Sequence, residues 1–304
     1  MTSAYLGIDI GGTASRWVVV DATGAIRDRG TSAGASGHLF NPSERDRLTG
    51  TLTIIASTAQ PHKPMAACLG ITGLGLGVRD EARQLVGPIF GMDPENVLLC
   101  DDMELAFRAV FAPGSGHLLS AGTGSIGLHL TPAGETIRVG GRGLLIDDGG
   151  SGTWIARQAL DQLYRRIDET GGPADAAILA AELYADMGGE GWEQTRSFVY
   201  GSDRGRIGTL AQAVARAATR GDPLAKAILQ QAAAELARLA TALVRRTAPL
   251  PVAFVGGITT LHPSIKPLLH SALPDLAVSF PQIDAALHAA RWALQTNPER
   301  EPMP

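Results

Sequence analysis

Two short glycine turns carry most of the chemistry open to this chain: "IGGTASRWVVV" at 10–20 and "SAGTGSIGLHL" at 120–130. The second spells G-x-G-x-x-G, the letters of a dinucleotide fingerprint. That fingerprint needs a helix directly after its glycines, so that a pyrophosphate rests on the helix N-terminus. Here "IGLHLTPAGETIRV" follows, with apolar residues at alternate positions and a Pro/Gly turn, which is a strand pattern. No G-x-x-x-x-G-K-[ST] occurs, so a P-loop is excluded. What remains is a pair of glycine hairpins. Glycine lets backbone N–H groups come close to phosphate oxygens, and the hydroxyls of Thr13, Ser15, Thr123 and Ser125 can add donors. Gly12, Thr13 and Ser15 fall in register with Gly122, Thr123 and Ser125 at a constant offset of 110 residues, and Gly24 meets Gly134. That register reads as a duplicated unit, and two such hairpins from facing domains would clamp a polyphosphate. Asp9 precedes the first turn, whereas Leu119 holds that place in the second. The asymmetry suits one Mg²⁺ on one side of the phosphates, held by Asp9 directly or through water.

Two acidic pairs add proton chemistry. "LLCDDMELAF" ends an apolar run on Asp101 and Asp102, and a carboxylate at a strand end can take the proton of a hydroxyl. Capping of the following helix is the alternative for either acid. "VGGRGLLIDDGGSGTW" carries Asp147 and Asp148, either of which could instead cap a helix beginning near Ser151. The seven histidines show no H-x-H or H-E-x-x-H spacing, which argues against a metal cage. Cys68 and Cys100 lie in apolar runs and read as buried, reduced thiols.

The elements that must position these residues alternate between the two structural periods. "AYLGIDI", "SRWVVVD" and "AIRDRGT" read as a three-stranded meander, followed by the helix "PSERDRLTGTLTIIASTA" with Ser43 as a candidate N-cap. "MAACLGITG" is a strand, "RDEARQLVGPIF" a helix, "ENVLLCDD" a strand and "MELAFRAVF" a helix. The meander then restarts at "GHLLSAGTGSIG". Alanine-rich helices follow at about 150–168, 175–187, 209–220 and 224–246, then "PVAFVGGIT" as strand and turn, "PSIKPLLHSAL" as helix and "LAVSF" as strand. "QIDAALHAARWAL" is a last helix and "TNPEREPMP" a tail. A length of 304 residues suggests two domains. Hydrophobic residues at 45% and charged residues at 18% describe an ordinary globular composition. A net charge of −4 leaves no basic footprint for nucleic acid or an anionic membrane. No apolar run reaches membrane-spanning length and no leader pattern opens the chain, so a cytoplasmic location is expected.

On these motifs the chain resembles the actin-like ATPase superfamily of sugar kinases, chaperone ATPases and actin. "GIDIGGTASRWVVVD" looks like its first phosphate loop, "LLSAGTGSIG" the second and "AFVGGI" the adenosine loop. More narrowly, "AGTGSIG…VGGRGLLIDDGGSGTWIARQAL" and "RGDPLAKAILQQAAAEL" are similar to the N-acetylglucosamine and glucosamine kinase branch. That branch belongs to the wider family of ATPases that activate benzoyl-CoA reductase. The resemblance implies an α/β fold of two duplicated ribonuclease H-like domains with an inter-domain cleft. The domains would be 1–115 and 116–304, with the last helix, about 283–296, packing back on the first.

The resemblance further implies ATP and Mg²⁺ as cofactors, an amino sugar as substrate and a homodimer as the assembly. It places Asp102 as the base, with Asp101 beside it in the sugar site. Asp9, Gly11, Gly12, Thr13, Ser15, Gly122, Thr123, Gly124, Ser125, Gly208, Gly256 and Gly257 would face ATP, with Asp9 on the metal. Thr72, Gly73, Gly141, Arg142, Gly143 and Asp148 would line the sugar pocket. Two positions depart from the family pattern. Gly37 and His38 stand where N-acetylglucosamine kinases commonly have Asn, and Arg142 where the animal enzymes have Trp. A cation there could favour an anionic substituent, such as the lactyl group of N-acetylmuramate, or could point to solvent. The expected reaction is transfer of the ATP γ-phosphate to the 6-hydroxyl of N-acetylglucosamine. Glucosamine and N-acetylmuramate kinases, a nucleotide-binding scaffold or sensor and an electron-transfer activator ATPase are the alternatives.

Overall fold

The computed structural model describes residues 3–296, apart from the side chain of Leu76, so the tail beyond Thr296 lies outside the described residues. The chain divides into two compact units, Met1–Ala109 with Ile283–Pro304, and Val110–Gln282. Among the described residues no helix is long and apolar enough to cross a membrane.

The first unit is built on strands β1 (Ala4–Ile10), β2 (Ala14–Asp21) and β3 (Ile26–Ala33). Helix α1 (Pro42–Ala59), β4 (Pro64–Ile71), α2 (Arg79–Phe90), β5 (Val97–Asp101) and α3 (Asp102–Arg108) follow. The sheet order is β3-β2-β1-β4-β5, antiparallel across the meander and parallel from β1 through β4 to β5. Residues β-branched or apolar on both faces suit β1 and β4 to the sheet centre, where helices cover both sides. Leu6, Ile8 and Ile10 pack on one face with Leu48, Leu52 and Ile55 of α1. The cap of α1 is Asn41, whose Oδ1 accepts the Ser43 N–H at 3.1 Å, rather than Ser43 itself. Pro42 has no N–H to give and a φ suited to the first helical position, which places the cap one residue before it.

The second unit repeats the topology with β6 (His117–Ala121), β7 (Ser125–Leu130) and β8 (Thr136–Gly140). Its helices are α4 (Gly152–Thr170), α5 (Ala177–Met187), α6 (Gly191–Tyr200), α7 (Arg204–Thr209), α8 (Ala211–Thr219) and α9 (Pro223–Arg246). β9 (Val252–Val255), α10 (Ile265–Ala272) and β10 (Val278–Ser279) complete it. Read from β8 the order is β8-β7-β6-β9-β10, with the same parallel and antiparallel senses as in the first sheet. The duplication read from the glycine hairpins is therefore a duplication of whole sheets. Helices α6 and α7 carry no clear period in the sequence: α6 buries only Thr195 and Phe198, and α7 is six residues with two glycines. Helix α4 is capped by Ser151, whose Oγ accepts the Trp154 N–H at 3.2 Å, so neither Asp147 nor Asp148 serves as that cap.

The final helix α11 (Ala285–Thr296) belongs to the first unit and lies on β1, β4 and β2. Ala286, Ala289, Ala290 and Ala293 pack there against Tyr5, Val18, Val20, Cys68 and Cys100. Gly7 permits the close approach: a Cβ on it would stand 2.1 Å from Ala286 O and from Ala290 N. Both cysteines are free and buried in that layer.

Candidate active site

In the first unit the parallel strands deliver their C-terminal ends side by side. Asp9 lies opposite Gly70 in the β1–β4 register, and Ile71 opposite Asp101 in the β4–β5 register. Ligands bind at the carboxyl ends of strands in open α/β sheets, and three of the expected polar residues converge there. Asp101 caps α3, its Oδ1 accepting the Met103 N–H at 3.0 Å. Asp102 Oδ1 accepts the same N–H at 2.9 Å. Burial raises the Asp102 carboxyl to about 7, and the neighbouring Asp101 and Asp9 charges push the same way. Hydrogen bonds from Thr72 and from the Met103 N–H oppose the rise. Asp9 is also raised, first by burial and then by Asp284, against the pull of Arg16 at 4.0 Å. A carboxylate held near neutrality can exchange a proton at physiological pH, and a second one short of solvation would gain from a cation. Among the described residues no group of three or more His, Cys, Asp or Glu side chains could cage a metal.

The first hairpin turn leaves Gly12 and Thr13 exposed, with Gly11 half-buried. The Gly11 N–H donates to Ala14 O at 3.1 Å. Gly34 runs beneath so closely that a Cβ would lie 2.4 Å from the Thr13 carbonyl carbon. Arg47 Nη2 donates to Gly12 O at 3.2 Å, a cation at this turn that α1 supplies. Ser15 is fully buried and donates its hydroxyl to Ala33 O at 2.8 Å, so it ties β2 to β3 and offers no donor outward. Gly73 sits at φ +73°, with His38 so near that a Cβ would meet Nε2 at 2.6 Å.

The second unit gathers its own set. The turn after β6 exposes Thr123, and the Gly122 N–H donates to Gly124 O at 2.9 Å. Helix α4 begins against it: the Gly152 N–H donates to Gly122 O at 2.8 Å and Thr153 Oγ1 to Thr123 O at 2.8 Å. Gly208 of α7 packs on Thr153 and Thr123, where a Cβ would stand 3.3 Å and 3.6 Å from their methyl groups. Gly256, at φ +95°, follows β9 so closely beside β6 that a Cβ would lie 2.4 Å from Ala121 O. Gly257 opens the next turn. Ser125 is buried and donates its hydroxyl to Gly149 O at 2.7 Å, again a structural tie.

Asp148 is buried at φ +68°, its Oδ2 2.9 Å from Arg204 Nη2 and its Oδ1 accepting the Ser125 N–H at 3.4 Å. It thus faces the second hairpin, and Arg204, which no motif announced, comes with it. Gly141 and Gly143 adopt φ +69° and +92°, turning the chain between β8 and Asp147. Arg142 is exposed and directed at Asp147, with 3.5 Å between Nη1 and Oδ2. Among the described residues no hydrogen bond brings these three against the glycine turn.

The profile of the BadF/BadG/BcrA/BcrD ATPase family matches residues 6–293, nearly the whole chain. The chain belongs to that family. A curated relative, the N-acetylmuramic acid/N-acetylglucosamine kinase of Clostridium acetobutylicum, is 29% identical over 142 residues. The match spans 46% of this chain and 45% of that protein, less than half the relative's length. Among solved structures, a provisionally named N-acetylglucosamine kinase from Chromobacterium violaceum is 25% identical with a TM-score of 0.72. That likeness covers 97% of this chain and 99% of the other. A glucokinase of the ROK family from Streptomyces griseus, solved with glucose and AMPPNP, shares the fold at 19% identity and a TM-score of 0.60, over 96% and 100% of the two chains. The architecture is thus the two-domain actin-like ATPase fold found in sugar kinases.

Proposed function

We propose that this family member is an ATP-dependent amino-sugar kinase, transferring the γ-phosphoryl group of ATP to the 6-hydroxyl of N-acetylglucosamine. One observation carries the reading: Asp102, raised to about 7, stands with Asp9 and Thr72 where three parallel strand ends meet. Phosphoryl transfer needs positioning, charge neutralisation and an acceptor for the hydroxyl proton. Asp102 would accept that proton, while Asp101, engaged as the cap of α3, lines the sugar side and tunes its neighbour. Gly11, Gly12 and Thr13 would meet the phosphates from residues 1–115. Gly122, Thr123, Gly124, Gly208, Gly256 and Gly257 would meet the nucleotide from residues 116–304. Mg²⁺, held by Asp9 directly or through water, would neutralise phosphate charge. Thr72, Gly73, Gly141, Arg142, Gly143 and Asp148 are assigned to the sugar. The resemblance supports a cytoplasmic homodimer, which light scattering of the purified protein tests.

A second acceptor, N-acetylmuramate, is favoured by the exposed Arg142 and by the likeness to the Clostridium N-acetylmuramic acid/N-acetylglucosamine kinase. The electron-transfer activator reading is disfavoured because Cys68 and Cys100 are buried between α11 and the sheet, away from any surface on which a cluster could be shared. The test is ADP release with N-acetylglucosamine, glucosamine and N-acetylmuramate, repeated on Asp102→Asn. Sugar-dependent turnover that vanishes in the variant, with ATP affinity kept, supports the reading. Turnover unchanged in Asp102→Asn removes it from the base role, and absence of turnover with every sugar refutes the kinase.

A further inference from the structure

Asp148 poses an electrostatic problem that its surroundings answer in one direction. Its side chain is 2% exposed and sits in a backbone region unusual for a residue with a side chain. A buried carboxylate needs a counter-charge, and no hydrogen bond is completed at its Oδ2. The counter-charge is the guanidinium of Arg204, which reaches it from the start of α7. The path runs directly over the second glycine turn. A Cβ on Gly124 would lie 1.9 Å from Arg204 Nη2 and 3.0 Å from Asp148 Oδ1, so any side chain at 124 would evict the arginine. The same Asp148 accepts the N–H of Ser125, the residue that closes the turn. Arg204 itself is 46% exposed.

A guanidinium has five N–H donors in a planar fork, and one edge on Asp148 leaves others free to face solvent. The free donors lie beside a turn whose own residues bring backbone but no charge. Asp147 is not the partner that holds Arg204, being occupied by Arg142 and approached by Arg238.

We infer that Arg204 is the cationic phosphate ligand of the second hairpin, aimed across Gly124 by the buried Asp148. This rests on the proposed use of that hairpin for ATP, and it makes Asp148 a positioning residue for the nucleotide in addition to any sugar contact. Glycine at 124 then leaves the guanidinium room to cross the turn.

The test is equilibrium binding of ATP and of adenosine to the full chain carrying Arg204→Gln or Arg204→Lys. A charge-assisted phosphate contact predicts ATP affinity lowered about ten- to hundredfold in Arg204→Gln, with adenosine affinity within about twofold of wild type. Arg204→Lys should recover part of the loss, since it restores charge without the fork. If Arg204→Gln fails to fold because Asp148 is left unpaired, Arg204→Gln with Asp148→Asn removes both charges and carries the same expectation. Equal losses for ATP and adenosine, or unaltered ATP affinity, overturn the inference. A wild-type protein that phosphorylates its sugar while Arg204→Gln keeps ATP affinity defeats the inference alone. A wild-type protein that binds no ATP defeats the kinase reading with it.

Discussion

Replacing Asp102 with Asn should make the protein more stable, and increasingly so as the pH rises. The native state holds the Asp102 proton up to about pH 7, whereas the unfolded chain releases it near 3.8. Between those values the unfolded state binds fewer protons, so raising the pH withdraws stability from the wild type. Each unit of separation corresponds to about 1.4 kcal/mol, so the step from pH 5 to pH 7 removes about 2–3 kcal/mol and the cost is flat above. Asparagine never ionises and escapes that loss. Its weaker hydrogen bonds with the Met103 N–H and Thr72 cost about 1 kcal/mol, but equally at every pH. Groups such as Asp9 titrate in both proteins and cancel from the difference to first order. The assay is urea unfolding of wild type and variant at pH 5, 6, 7 and 8. The stability difference should grow by about 2–3 kcal/mol from pH 5 to pH 8 in favour of the variant. A difference constant to within about 0.5 kcal/mol would refute the claim that burial and two acidic neighbours hold Asp102 near neutrality.

Asp101→Asn keeps a good cap for α3 but removes the charge beside Asp102. The two Oδ1 atoms share one N–H and so lie within about 6 Å, where a charge at an effective dielectric of about 20 shifts a pKa by up to about 2 units. The rising limb of kcat against pH should move down by about 1–2 units, and a limb that stays put would separate the two acids. Gly7→Ala forces a methyl into the backbone of α11, so it should cost about 2–4 kcal/mol in chemical denaturation, whereas a neutral result would mean α11 is free to lift from β1.

The sheets were legible in the sequence because their signal is local. A glycine turn between alternating apolar runs specifies a hairpin whatever lies around it, and the constant spacing of two such turns carried the duplication to whole sheets. Helices with a wide apolar stripe, such as α4 and α9, were equally plain. Those missed, α6 and α7, owe their form to what they pack on. Gly191 and Trp192 open α6 with little intrinsic preference, and α7 depends on an Asp203 cap and on contact with Thr123 and Thr153. The cap of α1 went to Asn41 because Pro42 decides the boundary more strongly than the serine after it.

At the site, the residue types were readable but the direction of a side chain was not. Ser15 and Ser125 occupy equivalent places in the two hairpins, and both look like phosphate donors in one dimension. In three dimensions both hydroxyls turn inward, one to Ala33 O and one to Gly149 O. Thr13 and Thr123 stand in the exposed turns, whereas Ser15 and Ser125 already lie within β2 and β7 and are buried against the adjoining chain. Cations reach the two turns from distant segments instead, Arg47 at the first and Arg204 at the second. Neither arginine could be found by spacing, because each is separated from its turn by a long stretch of chain. The sequence signal for them is indirect. Gly124 shows no left-handed φ, so backbone conformation alone does not demand it; a side chain there would displace the guanidinium above it. A glycine that its own backbone does not need thus leaves room for another group to pass, and here that group is a guanidinium which, with the Ser125 N–H, ties a buried carboxylate to the turn.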